Sequence, residues 1–195
     1  MHTSEVLTAK EPGTGQHPYR LQLILLMISS SMIFAAYTSA YIVRRDEGNW
    51  LEFALPMALA INSAIILVSS GTMQWAYMAA RRNSIKQVRI ALILTFVLGL
   101  AFLVGQWNVW GDLVASRIFF GGTDANPSGS FVYVLMGVHA FHLVTGLIFL
   151  WIVLRKSLRY EVHSKQMLSI GNATIYWHFL GGLWLYLYLF LLLNH

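Results

Sequence analysis

Five long stretches of the chain contain no Asp, Glu, Lys or Arg: 21–43, 53–80, 90–111, 125–154 and 166–195. Each is 22 to 30 residues long, and a helix needs about 20 mostly apolar residues to cross roughly 30 Å of hydrocarbon. Every stretch therefore accommodates one spanning helix and none comfortably holds two. Hydrocarbon offers the backbone no hydrogen bonds, so the chain must satisfy itself, and stretches this long do so as helices rather than barrel strands. The pattern predicts an all-α membrane bundle of five transmembrane helices, over roughly 21–43, 55–80, 89–111, 130–155 and 172–194. Residues 1–20 are polar and carry Pro12, Gly13, Gly15 and Pro18, which reads as a loose arm before a single helical domain over 21–195. The first apolar stretch is too long for the core of a cleavable signal peptide. Pro56 suits the first turn of the second helix, where an N–H has no partner in any case. Asn126-Pro127-Ser128-Gly129-Ser130 is turn and cap chemistry ahead of the fourth. There is no internal repeat, and an odd number of spans without matching broken helices argues against an inverted-repeat transporter.

Composition agrees with this reading and narrows it. Only 11% of the 195 residues are charged and 57% are hydrophobic, against about 25% charged in an ordinary soluble domain. The absence of cysteine removes iron–sulfur clusters, thiolate copper or zinc sites and covalently attached haem. A formal net charge of +5 would point to nucleic acid in a soluble protein, but here the basic residues sort by side. Lys10, Arg20, Arg81, Arg82, Lys86, Arg89, Arg155, Lys156, Arg159 and Lys165 fall on one side of a five-span topology, and only Arg44, Arg45 and Arg117 on the other. The positive-inside rule then places the N-terminus in the cytoplasm and the C-terminus outside, and leaves nucleic acid without support.

A proton- or cation-driven device usually places a charged side chain inside the bilayer, and none of the five uncharged stretches supplies one. The candidates left are His139 and His142 in the fourth helix and His178 in the fifth. His139, His142 and Gly146 share a face at i, i+3, i+7 spacing, and His178 shares one with Gly181, Gly182 and Leu185, where another helix can approach closely. Three histidines admit a haem held by two of them. Against that, an i, i+3 pair and one remote imidazole lack the carboxylate or thiolate partners that complete most metal sites. The plainer reading is that each imidazole hydrogen-bonds a neighbouring helix or a lipid headgroup. Tyr176, Trp177, Phe179, Trp184, Tyr186, Tyr188 and Phe190 read as packing and interfacial anchoring, and no specific spacing supports a quinone pocket there. On the residues alone, this is an integral membrane protein without a charge relay or evident redox centre, closer to an accessory subunit than to a stand-alone catalyst.

Longer motifs give a family. Tyr176-Trp177-His178-Phe179 followed by Leu183-Trp184-Leu185 resembles the last-helix signature of subunit III of haem–copper respiratory oxidases. Ser130-Phe131-Val132-Tyr133-Val134, leading to Gly137-Val138-His139-Ala140-Phe141-His142-Leu143, is similar to that family's two-histidine helix. Asn62-Ser63, Ser69-Ser70-Gly71-Thr72 and Trp75-Ala76 match its pattern in the second helix, and Leu103 and Gln106 match the next. The likeness runs in order from about residue 55 to the end, and the five-span length resembles bacterial forms that lack the first two of seven helices. It implies a non-catalytic subunit III of a bacterial cytochrome c oxidase, with no cofactor of its own, haem and copper residing in partner subunits, and electrons from cytochrome c reaching the complex through them. It also implies packing against subunit I, with subunit II in the same complex, phospholipid held in a cleft, support of proton uptake and turnover stability, and a place in the bacterial cytoplasmic membrane. Subunit III of a quinol oxidase, or an accessory protein of a nitric-oxide reductase, fits the same motifs. A free-standing haem or quinone carrier using the three histidines is the reading of a different class. By resemblance Arg155, His139, His142, Trp177 and His178 are assigned to lipid, and Gly181, Gly182 and Trp184 to subunit packing. The sequence departs from the family where Gly181 stands for an Asp, where Tyr77-Met78 replace two histidines, and where a membrane-embedded Glu near the second helix is absent.

Overall fold

The computed structural model describes residues 18–51, 53, 55–122, 126–159 and 167–194. Five helices account for nearly all of them: α1 (Pro18–Asp46), α2 (Met57–Arg81), α3 (Ile85–Ala115), α4 (Pro127–Leu158) and α5 (Leu168–Asn194). All five are long and apolar enough to cross a membrane. The polar arm is predicted over residues 1–20; its first 17 lie outside the described residues, while Pro18, Tyr19 and Arg20 already belong to α1.

α1, α3 and α4 outlast the charge-free stretches that predicted them, while α2 and α5 are shorter than theirs. α3 begins four residues before 89 and ends four after 111, and α4 and α5 gain three and four residues at their starts. A span's last turns lie at headgroup level, where long basic side chains reach water while their stems cover apolar surface. Charge therefore marks where hydrocarbon ends, and caps mark where the helix ends. Pro56 stands just ahead of α2, at the N-cap with ψ 137°, rather than in the first turn. Asn126 does cap α4: its side chain accepts from the Ser128 N–H at 3.1 Å, with Pro127 at the next position. The same side chain reaches the α1–α2 loop, donating to Asn49 O at 3.1 Å and accepting from the Leu51 N–H at 3.2 Å.

Two other ends close without glycine. After α2, Asn83 takes φ 58°, and the N–H groups of Asn83 and Ser84 return to the carbonyls of Ala80 and Ala79. After α3, Arg117 takes φ 59°, and the N–H groups of Arg117 and Ile118 return to Val114 and Leu113. Both are Schellman closures, and in the second the two apolar partners, Leu113 and Ile118, are buried.

α2 and α3 form the most extensively packed pair, α4 lies against α3 and α5, and α5 also lies against α2. Among the described residues, the α1 backbone runs close to α4 and α5 but not to α2 or α3. Small residues set the close pairs: Ala76, Ala79 and Ala80 on α2 and Ala91 on α3 are buried. A bare backbone at Gly99 admits the Trp177 ring and Leu147, and one at Gly146 admits Leu180. With no hydrophobic force between helices in lipid, such approach is how dispersion contacts hold a bundle together.

One charged residue ties two helix ends. Arg89, near the start of α3, donates from Nη2 to Ser157 O at 3.2 Å and Leu158 O at 3.1 Å, and from Nε to Ser157 O at 3.3 Å. These carbonyls sit in the last turn of α4, where the helix dipole is negative. Arg89→Ala is expected to lower stability by about 1–2 kcal/mol, and Arg89→Lys to recover only part, since an ammonium cannot fork. A detergent-phase thermal melt in which Arg89→Ala matches the parent would count against this clamp.

Candidate functional site

The polar residues of the spans form links between helices. On α5, Trp177 and Trp184 lie two turns apart and are both buried. Their indole N–H groups donate to Ser69 and Ser63 of α2, each at 3.0 Å. The higher number on α5 pairs with the lower on α2, so the two helices are antiparallel and the bonds fix their register. Ser69 continues to α3, donating to Thr95 O at 3.4 Å, and the Thr72 and Thr95 hydroxyls lie 2.8 Å apart.

The three histidines have three different surroundings. His178 places Nδ1 2.6 Å from Ser70 Oγ and Nε2 3.1 Å from Gln74 Oε1, both on α2. If Gln74 Oε1 accepts from Nε2–H, Nδ1 accepts the Ser70 hydroxyl and a neutral ring is satisfied on both sides. His142 donates from Nδ1 to Val138 O at 2.8 Å, which leaves Nε2 to accept from Ser30 Oγ on α1 at 3.0 Å. These two meet the expectation of a bond to a neighbouring helix. His139 does not. It is 0% exposed, and its ring lies among Phe34, Phe102 and Trp184, with centroids 6.3, 6.0 and 5.1 Å away. Two hydroxyl pairs complete the ties of α5: Tyr176 to Thr145 of α4 at 2.8 Å, and Tyr186 to Thr38 of α1 at 2.9 Å. Among the described residues, no three His, Asp or Glu side chains converge as metal ligands. His142 and His178 thus join helices, whereas His139 lies among aromatic rings.

A cleft opens at the end of the bundle that carries most of the basic residues. It measures about 560 Å³ and lies where the start of α1, the last turn of α4 and the start of α5 meet. Leu23, Leu26, Phe149 and Leu168 give it an apolar floor, and Gln22, Lys156, Ser169 and Asn172 a polar rim. Lys156 Nζ donates to Ser169 Oγ at 3.4 Å. Arg155, the basic residue singled out by resemblance, is exposed one position away and does not line this cleft. His139 and Trp177 are sealed inside the bundle, so the surfaces they offer face other side chains. Of the packing residues, Trp184 is buried and a methyl group at Gly181 would lie 3.6 Å from Ser70 Oγ. Gly182 is exposed, with nothing within 4 Å of the position its side chain would take, so none of the described helices packs on it.

Comparison with known proteins gives this architecture a family. The model of the family described as cytochrome c oxidase subunit III matches residues 9–194, nearly the whole chain. The chain belongs to the cytochrome c oxidase subunit III family. A relative in Thermostichus vulcanus, cytochrome c oxidase subunit 3, is 28% identical over 183 residues, covering 89% of this chain and 87% of that one. The subunit 3 of Corynebacterium diphtheriae is 29% identical over 174 residues, covering 85% and 83%. That of the turtle Pelomedusa subrufa is 29% identical over 191 residues, covering 89% of this chain but 69% of its own length. The chain is thus a multi-pass haem–copper oxidase subunit III, one component of a multi-subunit oxidase. In this subunit III, the α5 motif bonds outward in two directions: Tyr176 to α4, and Trp177 and His178 to adjacent serines of α2.

Several contributing residues do not stand out in the sequence. Ser30, Gln74, Arg89 and Lys156 sit in no motif, and only the facing helix gives each its role. One signal was available. Trp177 and Trp184 are seven apart and Ser63 and Ser69 six, which matches about two helical turns on each of two opposed helices.

Proposed function

We propose that this chain is the non-catalytic subunit III of a bacterial cytochrome c oxidase, packed against the catalytic subunit I with subunit II in the same assembly. Its part is to hold phospholipid at the subunit boundary and so to sustain proton uptake and working lifetime. Haem and copper chemistry, and electron entry from cytochrome c, belong to the partner subunits. The basic end is the cytoplasmic one, so the N-terminus lies inside and the C-terminus outside. The membrane is the bacterial cytoplasmic membrane, a reading supported by the near-complete coverage of the two bacterial relatives.

The observation that carries the lipid role is the cleft with Lys156, Ser169 and Asn172 over an apolar floor, about 560 Å³ in volume. An ammonium and short polar side chains suit a phosphate headgroup, and Leu23, Leu26 and Phe149 suit the first carbons of its acyl chains. Arg155, exposed beside them, adds a second positive charge at headgroup depth.

Purification through a tag on this chain tests the assembly: subunits I and II, with haem and copper, are expected to co-purify. A haem spectrum from the isolated polypeptide would sink the non-catalytic assignment. In the complex, the double variant Arg155→Ala/Lys156→Ala is expected to retain less phospholipid and to lose activity sooner during turnover, with the initial electron-transfer rate nearly intact. The lipid role is wrong if phospholipid content is unchanged, or if the initial rate falls as far as the lifetime does.

A further inference from the structure

The centre of the bundle holds another group of polar side chains, and these find no partner among the described residues. Gln106 on α3 is 2% exposed, and neither its amide oxygen nor its nitrogen meets a hydrogen-bonding group. Both ring nitrogens of His139 on α4 are unmet as well, and so is the amide nitrogen of Asn62 on α2. These groups belong to one neighbourhood. The Asn62 amide lies against the α3 backbone at Gly105, the residue before Gln106, in the space a side chain there would fill. One turn before Gln106 on the same face, Phe102 stands edge-on to His139 at 6.0 Å and to Trp184 at 4.9 Å. Trp184 in turn is 5.1 Å from His139 and bonds Ser63, the residue after Asn62. The amides and the imidazole are thus linked across four helices through Gly105, Phe102 and Trp184.

A buried polar group left without a hydrogen bond costs free energy, and most such groups in folded proteins have a partner or an ordered water. The unmet set here is mixed. Two amide nitrogens donate, one amide oxygen accepts, and a neutral imidazole does one of each. No charged side chain is within this set, so an ion has no counter-charge, and the burial of every member leaves no entrance for a large ligand. Water is small and both donates and accepts, with two to four partners at a typical buried site. We propose that Gln106, His139 and Asn62 form an internal water site, in which one or two slowly exchanging waters cross-link α2, α3 and α4. This site is separate from the lipid cleft and stands whether or not a phospholipid binds there.

The test is radiolytic hydroxyl labelling of the intact oxidase, purified through this chain and diluted briefly into heavy-oxygen water. Bulk-exposed side chains then take up heavy oxygen, whereas rings beside a slowly exchanging water take up the ordinary isotope. Phe102 and Trp184 are expected to be labelled with ordinary oxygen. Trp177, whose indole is satisfied by Ser69 and whose ring is held by Gly99 and Leu147, is expected to stay unlabelled. Gln106→Met keeps the side-chain length and removes both polar atoms. It is expected to cut labelling at Phe102 and Trp184 roughly fivefold and to lower Tm by about 3 °C. If the unaltered protein shows no labelling at these two rings, the water site is wrong, and that result needs no variant to fold. A raised Tm for Gln106→Met would overturn it too, since replacing a dry, unmet amide by an apolar isostere stabilises. Absent labelling with a lowered Tm would show that the three side chains pair directly, and would equally reject bound water.

Discussion

Trp177→Ala is expected to lower the stability of the detergent-solubilised chain by about 3–4 kcal/mol, among the largest effects of any single truncation. The Trp177 ring fills the space left by Gly99 and borders Gly146, so it touches α3 and α4, while its N–H bonds α2. Removing it opens a cavity at the meeting of four helices. In lipid the transfer part of the usual penalty shrinks, because a separated helix also keeps this ring out of water; the lost dispersion contacts remain. Trp177→Phe separates the two contributions. It keeps most of the ring and leaves the Ser69 hydroxyl without its donor, for an expected loss of about 1–2 kcal/mol. Unfolding in graded denaturing detergent measures both. A Trp177→Ala loss below that of Trp177→Phe would show that the ring is not what holds these helices together.

Overfilling the same contact from the other side should be as damaging. A methyl group at Gly99 would lie 2.7 Å from Trp177 Cη2 and 2.8 Å from Leu147 Cδ2, and the indole is too rigid to give way. Gly99→Leu is therefore expected to separate α3 from α4 and α5, at more than about 3 kcal/mol. It should be seen as loss of folded chain after extraction and failure to recover partner subunits. Gly71 supplies the contrast: it has nothing within 4 Å, and Gly71→Ala should leave stability unchanged or slightly raised, as alanine favours a helix. Normal yield from Gly99→Leu would mean that α3 can retreat without cost, and would undo the close-packing argument.

The five spans were legible because lipid imposes one strong rule, that charge stays out, and 22 to 30 uncharged residues leave little else to form. The helix ends were less so. Arg89 and Asp112 interrupt the apolar pattern yet lie within α3, since a membrane boundary and a helix boundary obey different physics. Within the site, the motifs located Trp177, His178 and Trp184 but not what they bond, because periodicity gives a residue's face and says nothing of the helix opposite. His139 and His142 show the limit well. At i, i+3 they share a face, yet the turn between them is enough to direct one toward Ser30 on α1 and the other into a nest of rings. Arg155 and Lys156 show it again: resemblance singled out the first, and the cleft is lined by the second, which follows Phe149 by seven residues on one face of α4.

The placement of α1 has a consequence for how the protein is made. Among the described residues its backbone lies close to α4 and α5 alone, and chains enter the membrane from the N-terminus onward. Of these five helices α1 leaves the ribosome before the others, and it waits in the bilayer while the α2–α3 hairpin forms without it. During that wait Ser30, Thr38 and Tyr41 lack their partners His142, Tyr186 and Asn194, all supplied by the last two helices to arrive. Among the five, the earliest helix is captured by the two that follow the hairpin, which makes their association a closing step rather than a sequential stacking.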